Sequence, residues 1–155
     1  MGDNNVRQMK SNSELEALIN GLNEDLANEY SAAIMYTFNA SVIEGMYRPI
    51  LKPFFEGEIT DEMGHALYLS NKIKILGGTP TTTPAKVDQF TEPKEMLEGA
   101  LKAEEDTIKR YEERKEQAEK LGLSELAIHL DDMIEDETGH KEELSRLLND
   151  SAFSN

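Results

Sequence analysis

Two short segments of the sequence repeat the same pair of ligand-type residues at the same spacing. Glu62 and His65 are three positions apart, and so are Glu137 and His140. Residues three apart lie on one face of an α-helix, so each pair would direct a carboxylate and an imidazole at a common point. One such pair has little weight in a chain with 31 acidic residues. Its repetition indicates a metal-binding site.

The repeat also includes residues upstream of both pairs. Glu29 stands 33 positions before Glu62, and Glu104 stands 33 positions before Glu137, so the two halves are offset by 75 residues. Four glutamates and two histidines in this arrangement are typical of a two-metal site inside a four-helix bundle. The predicted metal ligands are Glu29, Glu62, His65, Glu104, Glu137 and His140.

The types of these residues indicate which metal they would bind. Buried, ionised carboxylates without partners are costly, and two divalent cations would balance the charge of four of them. Oxygen and imidazole ligands without thiolate favour Fe or Mn over Cu(I), and Fe is the more suitable redox metal. We therefore expect two Fe ions per chain, with Mn as the alternative.

Two tyrosines and two glycines obey the same offset. Tyr36 and Tyr111 each follow the first Glu of their half by seven positions. Each could bond a ligating Glu or donate an electron to an oxygen intermediate, or could simply fill the core, and the sequence leaves these roles open. Gly64 and Gly139 weaken a helix interior, so their recurrence predicts close helix packing beside the metals.

Composition excludes several other kinds of protein. The chain has 155 residues, which suits one domain, and no Cys, which excludes disulfides, zinc-thiolate and iron-sulfur sites. Its net charge of −15 repels DNA phosphates, and no basic block compensates. No apolar run is long enough to span a membrane, and the first residues do not form a secretory signal, so we expect a cytoplasmic protein.

Helical periodicity predicts the elements that would position these side chains. Residues 1–12 are polar and are expected to form a flexible tail, and Ser13 with Glu16 forms a capping box for the first helix. That helix is expected to end near Gly45, and the second to run from about Pro49 to Gly77. In the first, second and fourth helices the ligand-type residues fall on the apolar stripe.

A long connection separates the two halves. Residues 78–91 contain prolines and threonines without helical period, and a stretch of about 14 residues could run the length of a bundle. The third helix would start near Pro93 and the fourth near Ser124, with a break at Gly122. On the third, Glu104 lies on the stripe, whereas its neighbour Glu105 points about 100° away. The sequence thus predicts an all-α fold of two helical hairpins joined by a crossover.

On these residues the chain resembles the ferritin-like superfamily, and most nearly bacterioferritin, over about residues 13–148. The six residues match the family's di-iron ligands, and Tyr36 matches its site tyrosine, which makes Tyr36 a candidate catalytic residue. The resemblance implies a centre that oxidises Fe(II) with oxygen or hydrogen peroxide and stores Fe(III) as mineral in a hollow shell. Met63 falls where bacterioferritins carry a Met that binds haem b across a two-fold interface. It is a candidate haem ligand, with packing at a dimer interface as the other role.

The chain departs from bacterioferritin in two respects. Only 15 residues follow His140, so we expect a bundle over residues 13–149 and a short tail over 150–155, without the family's fifth helix. This favours a homo-oligomer that is a 12-subunit shell, as in Dps-like proteins, or a dimer, over a 24-subunit shell. Gly57 also replaces a His that is thought to move iron inward, which leaves Glu58 and Asp61 as candidate residues of the iron path.

The leading functional hypothesis is therefore a ferroxidase for iron storage or for detoxification under oxidative stress. One alternative is a rubrerythrin-like peroxidase, although Thr107 stands where that family has an additional carboxylate. The other is a non-enzymatic shell or DNA-protection protein. The acidic charge of the chain argues against DNA coating.

Overall fold

The computed structural model describes residues 2–154 and consists of four long helices. They are α1 (Gly2–Val42), α2 (Arg48–Ile75), α3 (Pro93–Lys120) and α4 (Ser124–Leu148), followed by one 3-10 turn at Ser151–Phe153. This confirms the predicted all-α four-helix bundle. Within residues 2–154 there is no strand and no fifth α-helix. None of the helices in this range combines the length and the apolar composition that a bilayer span requires.

Glycines follow α1, α2 and α3 at the positions where the sequence predicts that these helices end. Gly45 lies between α1 and α2 with φ of 82°, and Gly122 lies between α3 and α4 with φ of 71°. Gly77 follows α2 with φ of 96°. A residue with a Cβ rarely adopts these left-handed angles, so glycine permits the chain to leave each helix here.

The connection between the hairpins is held along α1. Its residues run beside α1 in the same direction, as a series of hydrogen bonds demonstrates. These are Asn23 Nδ2 to Thr79 O (3.1 Å), Thr81 N to Asn23 Oδ1 (2.8 Å), Ala85 N to Ala27 O (2.9 Å) and Ser31 Oγ to Lys86 O (2.9 Å). The predicted crossover is therefore confirmed.

Two local expectations are wrong. The helix does not begin at Ser13, because α1 extends to Gly2 through exposed residues. No proline interrupts residues 2–12, and each residue added to an existing helix gains a backbone hydrogen bond. Met1 lies outside the described residues. The glycines at 64 and 139 do not mark close packing, since a Cβ at either would meet nothing within 4 Å.

The apolar core is divided by a layer of polar residues. Along each helix, one end of the buried stripe belongs to a cluster that includes Leu22, Leu69 and Leu130. The other end belongs to a cluster that includes Phe55 and Leu97. The ligand-type residues lie between these segments on all four helices. Both clusters therefore fix the helix positions on either side of the polar layer.

A buried ion pair joins α1 to α3 next to this layer. Arg114 donates to Asp25 from Nε (2.8 Å) and from Nη2 (3.3 Å), and both residues are buried. Arg110 Nε lies 3.6 Å from Asp25. Burial raises the pKa of Asp25 to about 6, and Arg114 limits the increase. A Cβ at Gly21 would lie 2.5 Å from the guanidinium, so glycine makes room for Arg114.

We predict that Asp25→Asn lowers the free energy of unfolding at neutral pH by about 3–5 kcal/mol, because it leaves a guanidinium buried without its counter-charge. Urea unfolding followed by circular dichroism measures this. Glu24→Gln is the matched control: Glu24 is exposed and 3.8 Å from Arg114, so its loss should cost less than about 1 kcal/mol. Equal losses in the two variants would contradict the assigned importance of the buried pair.

Candidate metal centre

The six predicted ligands come together in the middle of the bundle. Each helix contributes a glutamate, and α2 and α4 each add a histidine one turn later. The four glutamates are at most 2% exposed. With one further carboxylate, Glu58, the glutamate oxygens and the histidine nitrogens form two four-residue clusters. In each cluster the ligand atoms lie within 4.8 Å of one another. The clusters are Glu29, Glu62, His65 and Glu137, and Glu58, Glu62, Glu104 and His140.

Two carboxylates connect the clusters. Glu137 directs Oε1 at His65 Nδ1 (2.9 Å) and Oε2 toward His140 Nδ1 (3.8 Å). Glu62 belongs to both clusters and lies 3.7 Å from His140 Nδ1. Glu29 and Glu104 each belong to one cluster only. Glu137 is in the cluster of His65 but also approaches His140, so the carboxylates fit a pair of metal ions with Glu62 and Glu137 between them.

Several ligand atoms of the centre are buried and make no hydrogen bond. They are Glu29 Oε2, Glu62 Oε1, Glu104 Oε2 and Glu137 Oε2. The Nδ1 atoms of His65 and His140 have no partner other than a carboxylate oxygen 2.9 Å away, from Glu137 and Glu58 respectively. Buried polar atoms are almost always satisfied, because an unpaired one loses its hydration without compensation. Cations bound between these oxygens and nitrogens would satisfy them, so the residues fit a pair of metal ions.

Each histidine is oriented by an aspartate from the opposite Glu-x-x-His helix. His65 Nε2 donates to Asp136 Oδ2 (3.1 Å), and His140 Nε2 donates to Asp61 Oδ2 (3.1 Å). Such contacts hold the imidazole with Nδ1 facing the centre. The sequence contained a signal for this, because Asp61 and Asp136 obey the offset of 75. Of these two aspartates, the sequence analysis singled out Asp61 alone, as a candidate residue of the iron path.

The two tyrosines bond the terminal glutamates reciprocally. Tyr36 on α1 donates to Glu104 Oε1 on α3 (2.6 Å), and Tyr111 on α3 donates to Glu29 Oε1 on α1. Both rings are fully buried. Of the open roles, the structure supports hydrogen bonding to a site carboxylate together with core packing. In each terminal glutamate the other oxygen is buried without a hydrogen-bond partner.

One additional carboxylate reaches the centre. Glu58, one turn before Glu62 on α2, is 8% exposed and places Oε2 2.9 Å from His140 Nδ1. The sequence predicted it only as a residue of the iron path. It was missed because residue 133, its counterpart at the offset of 75, is Met rather than Glu.

Two other residues lie outside the centre. His129 stacks on Tyr68 with ring centroids 3.4 Å apart, which agrees with its exclusion from the predicted ligands. Met63 is 46% exposed and lines a groove on the outer face of α1 and α2. The structure therefore does not bring Met63 to the metal centre.

Comparison with known proteins decides the family. The protein-family model of the ferritin-like domain matches residues 19–152. The chain belongs to the ferritin-like family.

Three relatives of this ferritin-like protein are informative. A ferritin-like diiron-carboxylate protein from Bacillus anthracis is 62% identical, with a TM-score of 0.87 over 88% of this chain and 98% of that one. Bacterioferritin from Brucella melitensis is 32% identical over 126 residues, 79% of this chain and 77% of the relative. The structure of Rhodobacter capsulatus bacterioferritin, described with a metal-free dinuclear site and haem iron, is 25% identical with a TM-score of 0.77, over 84% and 82% of the two chains. The predicted family is thus confirmed.

Protons and metal ions would compete for this centre. Burial lowers the pKa of His65, but the Glu137 and Asp136 carboxylates outweigh it and raise this pKa to about 9. Burial also opposes charge on His140, yet Glu137 and Glu58 raise its pKa well above the ordinary value. Burial and then the charge of Glu62 raise the pKa of Glu29. Burial alone would raise the pKa of Glu137, but the two histidines lower it.

We predict that metal binding at neutral pH releases protons, because both imidazoles are protonated until a cation displaces the proton from Nδ1. The affinity for Zn(II) should rise as the pH increases from 7 to 9, where His65 loses its proton. An indicator dye in weakly buffered solution measures the release. His65→Gln should release about one proton fewer than the wild type, and His129→Gln the same number. Release that is independent of His65 would contradict the prediction.

Proposed function

We propose that this ferritin-like protein is a ferroxidase that oxidises Fe(II) at the intra-subunit centre, for iron storage or detoxification. The observation that carries the proposal is the pair of four-residue clusters that share Glu62 in the bundle core. Four buried carboxylate oxygens of the centre, one each from Glu29, Glu62, Glu104 and Glu137, have no hydrogen-bond partner. Membership of the ferritin-like family and similarity to bacterioferritin support iron as the metal.

The side chains of the centre have distinct roles in this proposal. Glu62 and Glu137 bridge the two ions, and Glu29 and Glu104 each bind one of them. The histidines complete the two ligand sets through Nδ1. The hydrogen bonds from Tyr36 and Tyr111 hold the terminal carboxylates in place, and those from the imidazoles to Asp61 and Asp136 hold the rings. These contacts are made by the chain's own side chains and would orient the ligands for the ions.

Iron is the substrate of the reaction. Two Fe(II) ions give up one electron each, and with two protons they reduce O2 to H2O2 or H2O2 to two waters. The exposed carboxylates of Asp61 and Asp136, which are 54% and 61% exposed, lie at the outer side of both imidazoles. They provide an acidic entry for Fe(II), whereas the apolar clusters above and below the polar layer exclude bulk water.

We predict that Glu104→Gln lowers the rate of Fe(II) oxidation at least 100-fold, because one ion loses its terminal carboxylate. The measurement is anaerobic loading followed by oxygen or peroxide, with absorbance of Fe(III) as the readout. Glu105→Gln is the matched control, since Glu105 is the next residue on α3 and belongs to neither cluster. It should keep the wild-type rate and a stoichiometry near two Fe per chain.

Two outcomes would contradict the proposal. One is that the wild-type protein binds no Fe(II). Sustained peroxide turnover with an electron donor and without accumulation of Fe(III) would favour the rubrerythrin-like peroxidase instead.

A second copy of the chain is the proposed partner of the outer face of α1 and α2. This face carries a groove of about 680 Å³ whose lining is mainly apolar and includes Ile34, Phe38, Ile59 and Met63. Ile34 and Met63 are nearly half exposed. Apolar side chains exposed together on one face are compatible with an interaction site, and the resemblance to bacterioferritin implies a two-fold interface at Met63. A homo-oligomer built on this contact is our proposal.

We predict that Ile34→Glu weakens self-association about 100-fold, because two isoleucines lose burial at a two-fold contact, each worth roughly 1.5 kcal/mol or more. Sedimentation velocity measures it. Ile128→Glu, at a residue of α4 that is 64% exposed, should have no effect. A monomeric wild type would contradict the prediction.

A Soret band after reconstitution with haemin, absent in Met63→Leu, would assign haem to the groove.

A further inference from the structure

The two halves of the metal centre differ at one position. Residues related by the offset of 75 agree in type at every predicted ligand, but Glu58 corresponds to Met133. Met133 is 1% exposed and packs in the apolar cluster of α4. Glu58 is buried to nearly the same degree but carries a carboxylate. The internal symmetry of the fold therefore does not extend to the charge of the centre.

Glu58 is directed at one end of the centre only. Its Oε2 lies 2.9 Å from His140 Nδ1 and belongs to the cluster with Glu62 and Glu104. This oxygen is buried, and among the described residues it has no hydrogen-bond partner other than that imidazole nitrogen. It does not belong to the cluster around His65. A carboxylate oxygen buried in this way is costly unless a cation or a proton satisfies it.

The two halves also differ next to the centre, in a buried ion pair. Arg114 corresponds to Asn39 at the offset of 75, and Asp25 corresponds to Ala100. Arg114 and Arg110 pair with Asp25, one helical turn before Glu29. Glu24 also lies 3.8 Å from Arg114, so the two guanidinium groups near the His65 end face two carboxylates and add no net charge there. The His140 end has the additional negative charge of Glu58.

We propose that Glu58 is a seventh ligand that binds only the metal ion at the His140 end, and that this end consequently binds the first divalent ion more tightly than the His65 end. The inference deepens the proposed function, on which it rests. With Glu58 the carboxylates carry one negative charge more than two divalent ions neutralise. The excess is confined to one end. The centre therefore loads in a fixed order rather than at random.

Anaerobic titration with Co(II), followed by its visible absorption, tests the inference without any turnover. The wild type should bind two Co(II) in two resolved steps. Glu58→Gln should weaken the tighter step about tenfold, equivalent to about 1.4 kcal/mol, and leave the weaker step unchanged. The matched control is Glu56→Gln, which removes the same charge from an exposed position on the same helix. It should retain the wild-type curve.

Glu58→Met provides a second variant that is expected to fold, because it removes a buried acid and copies the residue of the other half. Like Glu58→Gln, it should reduce the difference in affinity between the two Co(II) binding steps. Its helix content, measured by circular dichroism, should equal that of the wild type. The inference is overturned if the wild type binds both ions with equal affinity, or if both Glu58 variants retain the wild-type separation. Absence of Co(II) and Fe(II) binding in the wild type would instead remove the proposed function.

Discussion

The burial of carboxylates in an apolar bundle is the constraint on which the rest of this structure depends. Five glutamates, including Glu58, meet where α1 to α4 approach one another, and like charges at this separation destabilise the fold unless something offsets them. In the structure the offset comes from two imidazoles, two tyrosine hydroxyls and the helices that hold them. Full compensation requires cations. Carboxylate oxygens without a hydrogen-bond partner, such as Glu62 Oε1 and Glu137 Oε2, are the clearest sign that the folded state is built for metal ions.

The duplicated pattern explains how one chain holds so many polar groups in register. Two kinds of contact in one half have their mirror in the other: a tyrosine to the opposite terminal glutamate, and an aspartate to the opposite histidine. Every one of these contacts joins two different helices. Packing of the apolar clusters therefore fixes the ligands, and the ligand contacts fix the helix pairing. A substitution in the core would therefore displace the ligands, and one in the polar layer would disturb the helix packing.

The sequence could predict what depends on spacing and could not predict what depends on contact between helices. The four helices, the crossover and the six ligand positions follow from periodicity and from the offset of 75. Glu58 was not predicted as a ligand because Met133 breaks the repeat on which the prediction relied. The partners of Asp61 and Tyr36 lie on other helices, so their bonds could not be assigned in advance. Propensity also failed at the start of α1, where continuation of an existing helix outweighs a capping box.

The positions of bound iron show whether the buried carboxylates form a two-metal site. Crystals loaded anaerobically with Fe(II) can be measured at wavelengths on both sides of the iron absorption edge. The account predicts two anomalous peaks per chain, about 4 Å apart. One should lie beside His65 Nδ1 and the other beside His140 Nδ1, with Glu62 and Glu137 between them. A single peak, or iron found only at exposed surface carboxylates, would contradict it.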